Sequence, residues 1–144
     1  MMLDDLGLVP TIKRYVSNLK EQTGVDITLV INGTYRRLKP YLEVYVFRAM
    51  QEVISNAIKH NLDNVSQIKI DVTLNIETNS ITAVIKDNGK GFKPLEIQAS
   101  SGLGLKLIKE RANLLGGSID ISSSELKGTE VILTIPVEDE PANV

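Results

Sequence analysis

The chain of 144 residues has no cysteine, no tryptophan and few aromatic residues of any kind, 4% in total. Without cysteine it forms no disulfide and offers no thiolate to a metal, which fits a reducing compartment. Its hydrophobic share of 42% is enough for a full core, which must therefore be aliphatic. The net charge of -2 gives no general attraction to nucleic acid or to an acidic membrane surface.

Long hydrophobic runs are also missing from the sequence. No apolar stretch approaches the roughly 18 residues that a membrane-spanning helix needs. Residues 1–5 lack the basic-then-apolar order of a signal peptide. We therefore expect a cytoplasmic protein with no direct membrane contact and no nucleic-acid partner. The length is typical of one domain.

The hydrophobic periodicity predicts an α+β domain. Predicted helices cover residues 7–22, 41–61 and 103–115, and predicted strands cover residues 25–31, 68–77, 80–87, 118–123 and 129–137. A turn is expected at Asn32-Gly33. Because the strands have one apolar and one polar face, they imply an antiparallel sheet that is solvated on one side. Three helices then cover the other side, which gives a two-layer α/β sandwich.

A narrow polar stripe runs along the predicted helix at residues 41–61. Helical spacing aligns Arg48, Glu52, Ser55, Asn56, Lys59, His60 and Asp63. A plain solvated face would also be polar, but here the apolar sector is wider than on a surface helix. Asn56 offers an oxygen of the kind that Mg²⁺ prefers. Lys59 and His60 can contact phosphate, although His60 alone also fits an ordinary helix-end histidine.

The strand at residues 80–87 ends in a carboxylate on its apolar, inward face. Asp87 should therefore lie at the floor of a pocket, immediately before Asn88-Gly89-Lys90-Gly91. Thr129 shares the inward face of the last strand by the same alternation. A buried carboxylate needs hydrogen-bond donors, and the exocyclic amine of a purine would supply one. The alternative is a turn aspartate, because Asp-Asn-Gly is a strong turn sequence.

A glycine loop, Gly102-Leu103-Gly104-Leu105, opens the third predicted helix. Glycines let backbone N–H groups approach an anion, and a helix N-terminus favours phosphate. The alternative is a flexible loop that begins the helix and binds no ligand, because its sequence would show the same glycines. The sequence lacks both the dinucleotide fingerprint and the P-loop pattern. Together, the three motifs supply the parts of a pocket for a magnesium-bound nucleotide.

The three motifs resemble those of a known family. Residues 51–60 resemble the N box, and residues 87–91 and 102–105 resemble the two glycine boxes, of the GHKL ATP-binding domain of bacterial sensor histidine kinases. The form of the N box is that of the nitrate-sensor and degradative-enzyme-regulator branch. Residues 3–8 resemble the segment that joins the phosphoacceptor helices to this domain in that branch.

This resemblance implies a Bergerat fold, with a mixed, mostly antiparallel sheet covered on one face by about three helices. It implies a connector at residues 1–8, the ATP-binding domain at residues 9–137 and a flexible acidic tail at residues 138–144. The implied cofactors are ATP and Mg²⁺. The implied catalytic residues are Glu52, Asn56, Lys59 and His60.

The resemblance also assigns individual contacts. Asn56 and Glu52 would act at the metal, and Lys59 and His60 would face the phosphates. The adenine amine would be read by Asp87 with help from Thr129. The remaining nucleotide contacts would come from Gly89, Gly91, Gly102, Leu103, Gly104 and Leu105. One position departs from the broader pattern of the second glycine box, because Ser100 stands where a glycine is usual.

The expected function is transfer of the ATP γ-phosphate to a histidine on an upstream dimerisation and phosphoacceptor domain, and from there to an aspartate of a response regulator. The full-length protein is expected to be a homodimer. His60 lies inside the N box and is not the phosphoacceptor. Three alternatives stay open: a serine kinase of the anti-sigma-factor type, an ATP-driven conformational gate, and an interaction module with a decayed pocket.

Overall fold

The computed structural model describes residues 2–61, 67–89, 102–124 and 128–137. Its helices are α1 (Met2–Leu6), α2 (Leu8–Thr23), α3 (Pro40–Lys59) and α4 (Gly102–Leu114). Its strands are β1 (Asp26–Gly33), β2 (Lys69–Ile76), β3 (Ser80–Asp87), β4 (Ser118–Ser124) and β5 (Gly128–Pro136). All eight predicted elements are present within two residues of their predicted bounds, and α1 was not predicted.

The strands form one sheet in the order β1-β2-β3-β5-β4. The pairs β2–β3, β3–β5 and β4–β5 are antiparallel, whereas β1 and β2 are parallel. The antiparallel sheet expected from strand alternation is therefore wrong for β1, and the mixed sheet implied by the resemblance is confirmed. The connection explains the difference, because β1 reaches β2 through the whole length of α3, and parallel neighbours need such a crossover.

The turn expected at Asn32-Gly33 lies instead within β1, which continues through both residues. Asn32 pairs with Asn75 of β2, and their side-chain amides are joined by a hydrogen bond of 2.8 Å. Gly33 has a φ of 97° and approaches the backbone of Ile76 so closely that no side chain would fit. The glycine thus serves a close strand approach rather than a tight turn.

The core lies between the sheet and the three longer helices. Met50 and Ile54 of α3 are fully buried, as are Ile70, Leu74 and Ile135 of the sheet. Alternate residues of β2 and β3 are buried, which confirms one covered face for these strands. The two-layer α+β sandwich is therefore confirmed, and it places the polar stripe of α3 beside the ends of β3 and β5.

The N-terminal segment is attached to the start of α3 by a buried carboxylate. Glu43 is 2% exposed, and its Oε2 accepts a hydrogen bond of 3.3 Å from the backbone N–H of Leu8. Arg37 donates to both carboxylate oxygens, at 3.1 Å through Nη2 and 3.2 Å through Nε. Leu3 is also buried. Residues 2–8 are thus packed onto the domain, and the predicted tail at residues 138–144 lies outside the described residues.

No helix within the described residues is both long enough and apolar enough to cross a membrane.

Candidate functional site

A cavity opens between α3, α4 and the ends of β3, β4 and β5. Its empty space, counted together with the open solvent at its mouth, is about 450 Å³. Its walls are largely apolar, with a few polar groups. The described lining consists of Val53, Asn56, Ala57, His60, Ile85, Asp87, Leu105, Ile121, Thr129 and Val131. Asn56, His60, Asp87, Leu105 and Thr129 were all predicted site residues, so the structure brings together parts of all three motifs and the last strand.

Asp87 lies where the alternation of β3 predicted it, at the inward-facing end of the strand, and it is 7% exposed. Its Oδ1 accepts a hydrogen bond of 2.8 Å from the N–H of Gly89. Burial raises the pKa of the carboxyl group above its usual value. The backbone hydrogen bonds from Gly89 and Thr129 and the nearby charge of His60 oppose that rise. The result is a buried hydrogen-bond acceptor facing an apolar space.

Thr129 stands directly opposite Asp87 in the β3–β5 pairing. Its hydroxyl lies 2.9 Å from the hydroxyl of Ser123 on β4, and either group can donate. The expected inward Asp–Thr pair is therefore present on neighbouring strands. Two hydrogen-bonding side chains therefore lie side by side in the cavity lining. Asp87 is held by the backbone N–H of Gly89, and Thr129 is held by the hydroxyl of Ser123.

Asn56 brings an unsatisfied polar atom to the cavity wall. Its Nδ2 is buried, and within the described residues it has no hydrogen-bond partner. Leaving a buried donor unpaired costs about 1–3 kcal/mol. Unpaired buried groups are uncommon in folded proteins, so this one indicates that a ligand or ordered water completes the site.

Glu52 lies one helical turn before Asn56 and contacts the first turn of α4. A Cβ atom added to Gly104 would lie 2.7 Å from Cδ of Glu52. The absence of a side chain at Gly104 therefore allows the Glu52 carboxylate to sit against the start of α4. This contact joins the N box to the second glycine box, as two neighbouring parts of one site.

Several other predicted site residues do not line the cavity or lie outside the described residues. Lys59 is exposed and does not appear in the described lining. Gly102 and Leu103 form the first residues of α4, and Leu105 reaches the cavity. Gly91, Asp63 and Ser100 lie outside the described residues.

A tyrosine fixes α4 against α3 beside the site. The Tyr45 hydroxyl donates a hydrogen bond of 2.6 Å to the carbonyl oxygen of Ile108. Burial raises the pKa of this tyrosine to about 12, although the charge of Arg111 acts in the opposite direction. Tyr45 therefore stays protonated at neutral pH and keeps donating, which holds the two helices that bound the cavity.

Sequence reasoning predicted the polar side chains of the site but assigned no site role to most of its apolar wall or to Asn61. The apolar lining residues without a predicted role are Val53, Ala57, Ile85, Ile121 and Val131. Ile121 of β4 completes the apolar wall, and the alternation of Ile119 and Ile121 was the signal that could have revealed it. Asn61 is buried two residues beyond the end of α3 and contacts Gly89. No spacing signal distinguishes Asn61 from an ordinary residue that ends a helix.

The sequence of most of the chain matches a known protein family. Residues 42–139 match the family described as "Histidine kinase-, DNA gyrase B-, and HSP90-like ATPase", so the chain belongs to this ATPase family and the predicted membership is confirmed. The match extends from the start of α3 to the end of β5 and includes every described residue that lines the cavity.

The chain is also similar to one part of several named sensor histidine kinases. The signal transduction histidine-protein kinase/phosphatase DegS of Brevibacillus brevis is 39% identical over 97% of this chain and 35% of its own length. DegS of Bacillus subtilis (strain 168) is 35% identical over 95% of this chain and 36% of its own length. The oxygen sensor histidine kinase NreB of Staphylococcus carnosus (strain TM300) is 34% identical over 95% of this chain and 38% of its own length. The chain thus spans little more than a third of these relatives.

Solved structures confirm the fold independently of sequence. The histidine kinase domain of the Erythrobacter litoralis EL346 blue-light activated histidine kinase superimposes with a TM-score of 0.74 at 16% identity, over 90% of this chain and 61% of that one. The mycobacterial sensor histidine kinase MprB gives 0.66 at 20% identity, over 91% of this chain and 95% of that one. At such low identity the likeness concerns the fold alone.

Proposed function

We propose that this domain binds Mg-ATP and presents the γ-phosphate to a histidine on a dimerisation domain of the same protein. The observation that carries the proposal is the buried Asp87 carboxylate at the end of an apolar cavity. An adenine ring fits that chemistry, because its faces are apolar and its exocyclic amine donates a hydrogen bond. Guanine has a carbonyl at the same position and would leave the carboxylate without a donor.

Asn56 in the cavity wall and Glu52, one helical turn before it, carry oxygens that suit magnesium. The described residues contain no cluster of three or more histidine or carboxylate side chains that could hold a metal by themselves. Mg²⁺ usually keeps several waters and binds one or two protein oxygens together with substrate phosphates. Asn56 and Glu52 would hold it through their side-chain oxygens, and the ion would neutralise developing charge on the phosphates.

Phosphoryl transfer asks little covalent chemistry of the protein, since positioning and charge neutralisation carry most of the catalysis. In this domain, Asp87 would fix the base, the α3 stripe would fix the phosphates and the contact between Glu52 and Gly104 would keep α3 and α4 in register. His60 would place its ring near the phosphate path from the cavity wall. Lys59, exposed at the last position of α3, immediately before His60, would approach the phosphates from the solvent side.

The partners follow from the same reasoning. The phosphoacceptor histidine would lie in a preceding segment, to which residues 1–8 would form the connector. A response-regulator aspartate would then receive the phosphoryl group. The named relatives, sensor histidine kinases in which a matching domain occupies little more than a third of the length, support this arrangement.

Calorimetric titration of ATP with and without Mg²⁺ tests the binding step. Saturable binding to the wild type is expected, and Asp87→Asn should weaken it by about 10- to 100-fold, since a hydrogen bond to a charged group contributes about 1.5–3 kcal/mol. The matched control is Asp71→Asn, which changes an exposed aspartate on β2. GTP that binds as tightly as ATP, or an Asp87→Asn variant with unchanged affinity, would refute the adenine role.

Transfer itself is tested with γ-labelled ATP and the dimerisation domain supplied as a separate protein. Label that appears on the added domain, is lost in acid and survives in base would identify phosphohistidine. Label on a serine would favour the anti-sigma type of kinase instead. ATP binding without any transfer would reduce the proposal to nucleotide binding.

A further inference from the structure

A buried amide lies two residues beyond the end of α3, between Ala57 and Gly89. Asn61 is 6% exposed, and its Nδ2 donates a hydrogen bond of 2.7 Å to the carbonyl oxygen of Ala57. Ala57 lines the cavity. The amide is therefore tied to the helical turn that forms one wall of the site, although its own side chain does not appear in the described lining.

The same amide packs tightly against Gly89. A Cβ atom on Gly89 would lie 2.6 Å from Oδ1 and 2.7 Å from Cγ of Asn61, well inside van der Waals contact. Gly89 does not have a positive φ, so its backbone conformation is open to any residue. A side chain at this position would therefore have to displace the buried Asn61 amide.

Gly89 in turn holds the Asp87 carboxylate. Its N–H donates the hydrogen bond of 2.8 Å to Oδ1 of Asp87. The turn after β3 is fixed on its other side by Asn88, whose Oδ1 accepts 2.7 Å from the N–H of Lys69. Asn88 anchors the turn to the sheet by a hydrogen bond, and Asn61 anchors it by a packing contact from just beyond the end of α3. Both contacts restrict where the Gly89 N–H can lie.

We infer that Asn61 is a positioning residue for nucleotide specificity, acting through Gly89 on the carboxylate of Asp87. The inference rests on the proposed role of Asp87 as the acceptor for the adenine amine. A hydrogen bond is sensitive to direction, whereas apolar contacts with the faces of the base are not. Loss of the Asn61 anchor should therefore impair recognition of the exocyclic amine more than it impairs binding of the purine ring.

The experiment compares two nucleotides on three variants. Asn61→Ala removes the anchor, and Asn61→Leu keeps most of its volume without the hydrogen bonds. The control is Asn32→Ala, at an exposed asparagine whose amide also bonds another side chain. Calorimetry is run with ATP and with the triphosphate of unsubstituted purine riboside, which lacks the amine.

Both Asn61 variants should lose about tenfold in ATP affinity, the equivalent of one hydrogen bond, and much less for the nucleotide without the amine. Asn32→Ala should match the wild type. In an Asp87→Asn background, Asn61→Ala should cause little further loss, since both changes act on one contact. Equal loss for the two nucleotides, additive loss in the double variant, or no loss at all would overturn the inference.

Hydrogen exchange gives a readout that needs no nucleotide. The Gly89 amide should exchange faster in both Asn61 variants, while the amides paired between β2 and β3 keep their wild-type rates. An unchanged Gly89 rate would also overturn the inference. If the wild type fails to bind ATP, both the proposed function and the inference are refuted. If the wild type binds ATP but the Asn61 variants lose affinity equally for both nucleotides, only the inference is overturned.

Discussion

Asp87 combines an ionisable group with a position that disfavours its charge. Burial raises its pKa from the reference value of 3.8, against the pull of two backbone hydrogen bonds and the His60 charge. The folded state therefore holds this proton more tightly than the unfolded state does. The stability linked to the proton is complete below the unfolded pKa and is lost as the pH rises through the folded pKa. At any pH where the carboxylate is ionised, its burial reduces the stability of the ligand-free domain.

A change of this residue should therefore stabilise the domain while it weakens the site. Relative to the wild type, the unfolding free energy of Asp87→Asn should increase as the pH rises above about 4, the reference pKa of aspartate, because the wild type loses stability there and the amide does not. The amide keeps an oxygen that can accept the Gly89 hydrogen bond and carries no charge. Urea denaturation across this pH range measures the difference.

The exposed Asp71 supplies the comparison for that pH series, because Asp71→Asn removes the same charge from the solvated side of β2. If the two variants differ from the wild type in unfolding free energy by the same amount at every pH, the burial of Asp87 does not control its contribution to stability.

At the scale of elements, the contact between α3 and α4 depends on Gly104. Helix propensity alone predicts that Gly104→Ala stabilises the domain by up to about 1 kcal/mol. The new methyl group would however displace the end of the Glu52 side chain, which is flexible and can move without unfolding the helix. We expect stability to stay within about 1 kcal/mol of the wild type, while Mg²⁺-dependent ATP affinity falls by about tenfold.

Thermal denaturation and calorimetry separate these two effects of Gly104→Ala. The matched background is Glu52→Ala, in which there is no carboxylate to displace. There, Gly104→Ala should cause no further loss of affinity. A further loss of similar size would show that the methyl group blocks the nucleotide directly.

The elements also show what the sequence could and could not predict. Alternation in β3 and β5 was strong enough to place Asp87 and Thr129 on the inward face, and the structure pairs them directly. Periodicity within one strand contains no information about its neighbour, so the parallel pairing of β1 with β2 was missed. The Asn61–Gly89 contact joins residues whose spacing carries no repeat, and only the packed structure reveals it.

At the scale of the whole molecule, the N-terminal segment depends on the buried Glu43. Glu43→Gln keeps an oxygen for the Leu8 N–H but removes the charge that pairs with Arg37. The Arg37 side chain is 46% exposed, so water screens the pair. We expect the unfolding free energy to fall by about 1–3 kcal/mol, less than for a fully buried pair.

Chemical denaturation measures this loss, and limited proteolysis shows whether cleavage within residues 2–8 becomes faster. Glu21→Gln, at an exposed position on α2, is the control for charge removal alone. Unchanged stability and unchanged cleavage would mean that Arg37 and the backbone hold the segment without the charge of Glu43.

The cavity is lined by α3, from the first half of the chain, and by β3, α4 and the β4–β5 hairpin, from the second half. Within the described sheet, β4 is an outer strand that pairs only with β5. A ligand between α3 and this hairpin would connect the helix to one of the two edges of the sheet. Its binding free energy would add to the local opening free energy of β4 and would leave that of β1, on the opposite edge, nearly unchanged. Ligand binding would thus make the β4 edge of the sheet harder to open than it is in the free domain, while the β1 edge would stay as it is.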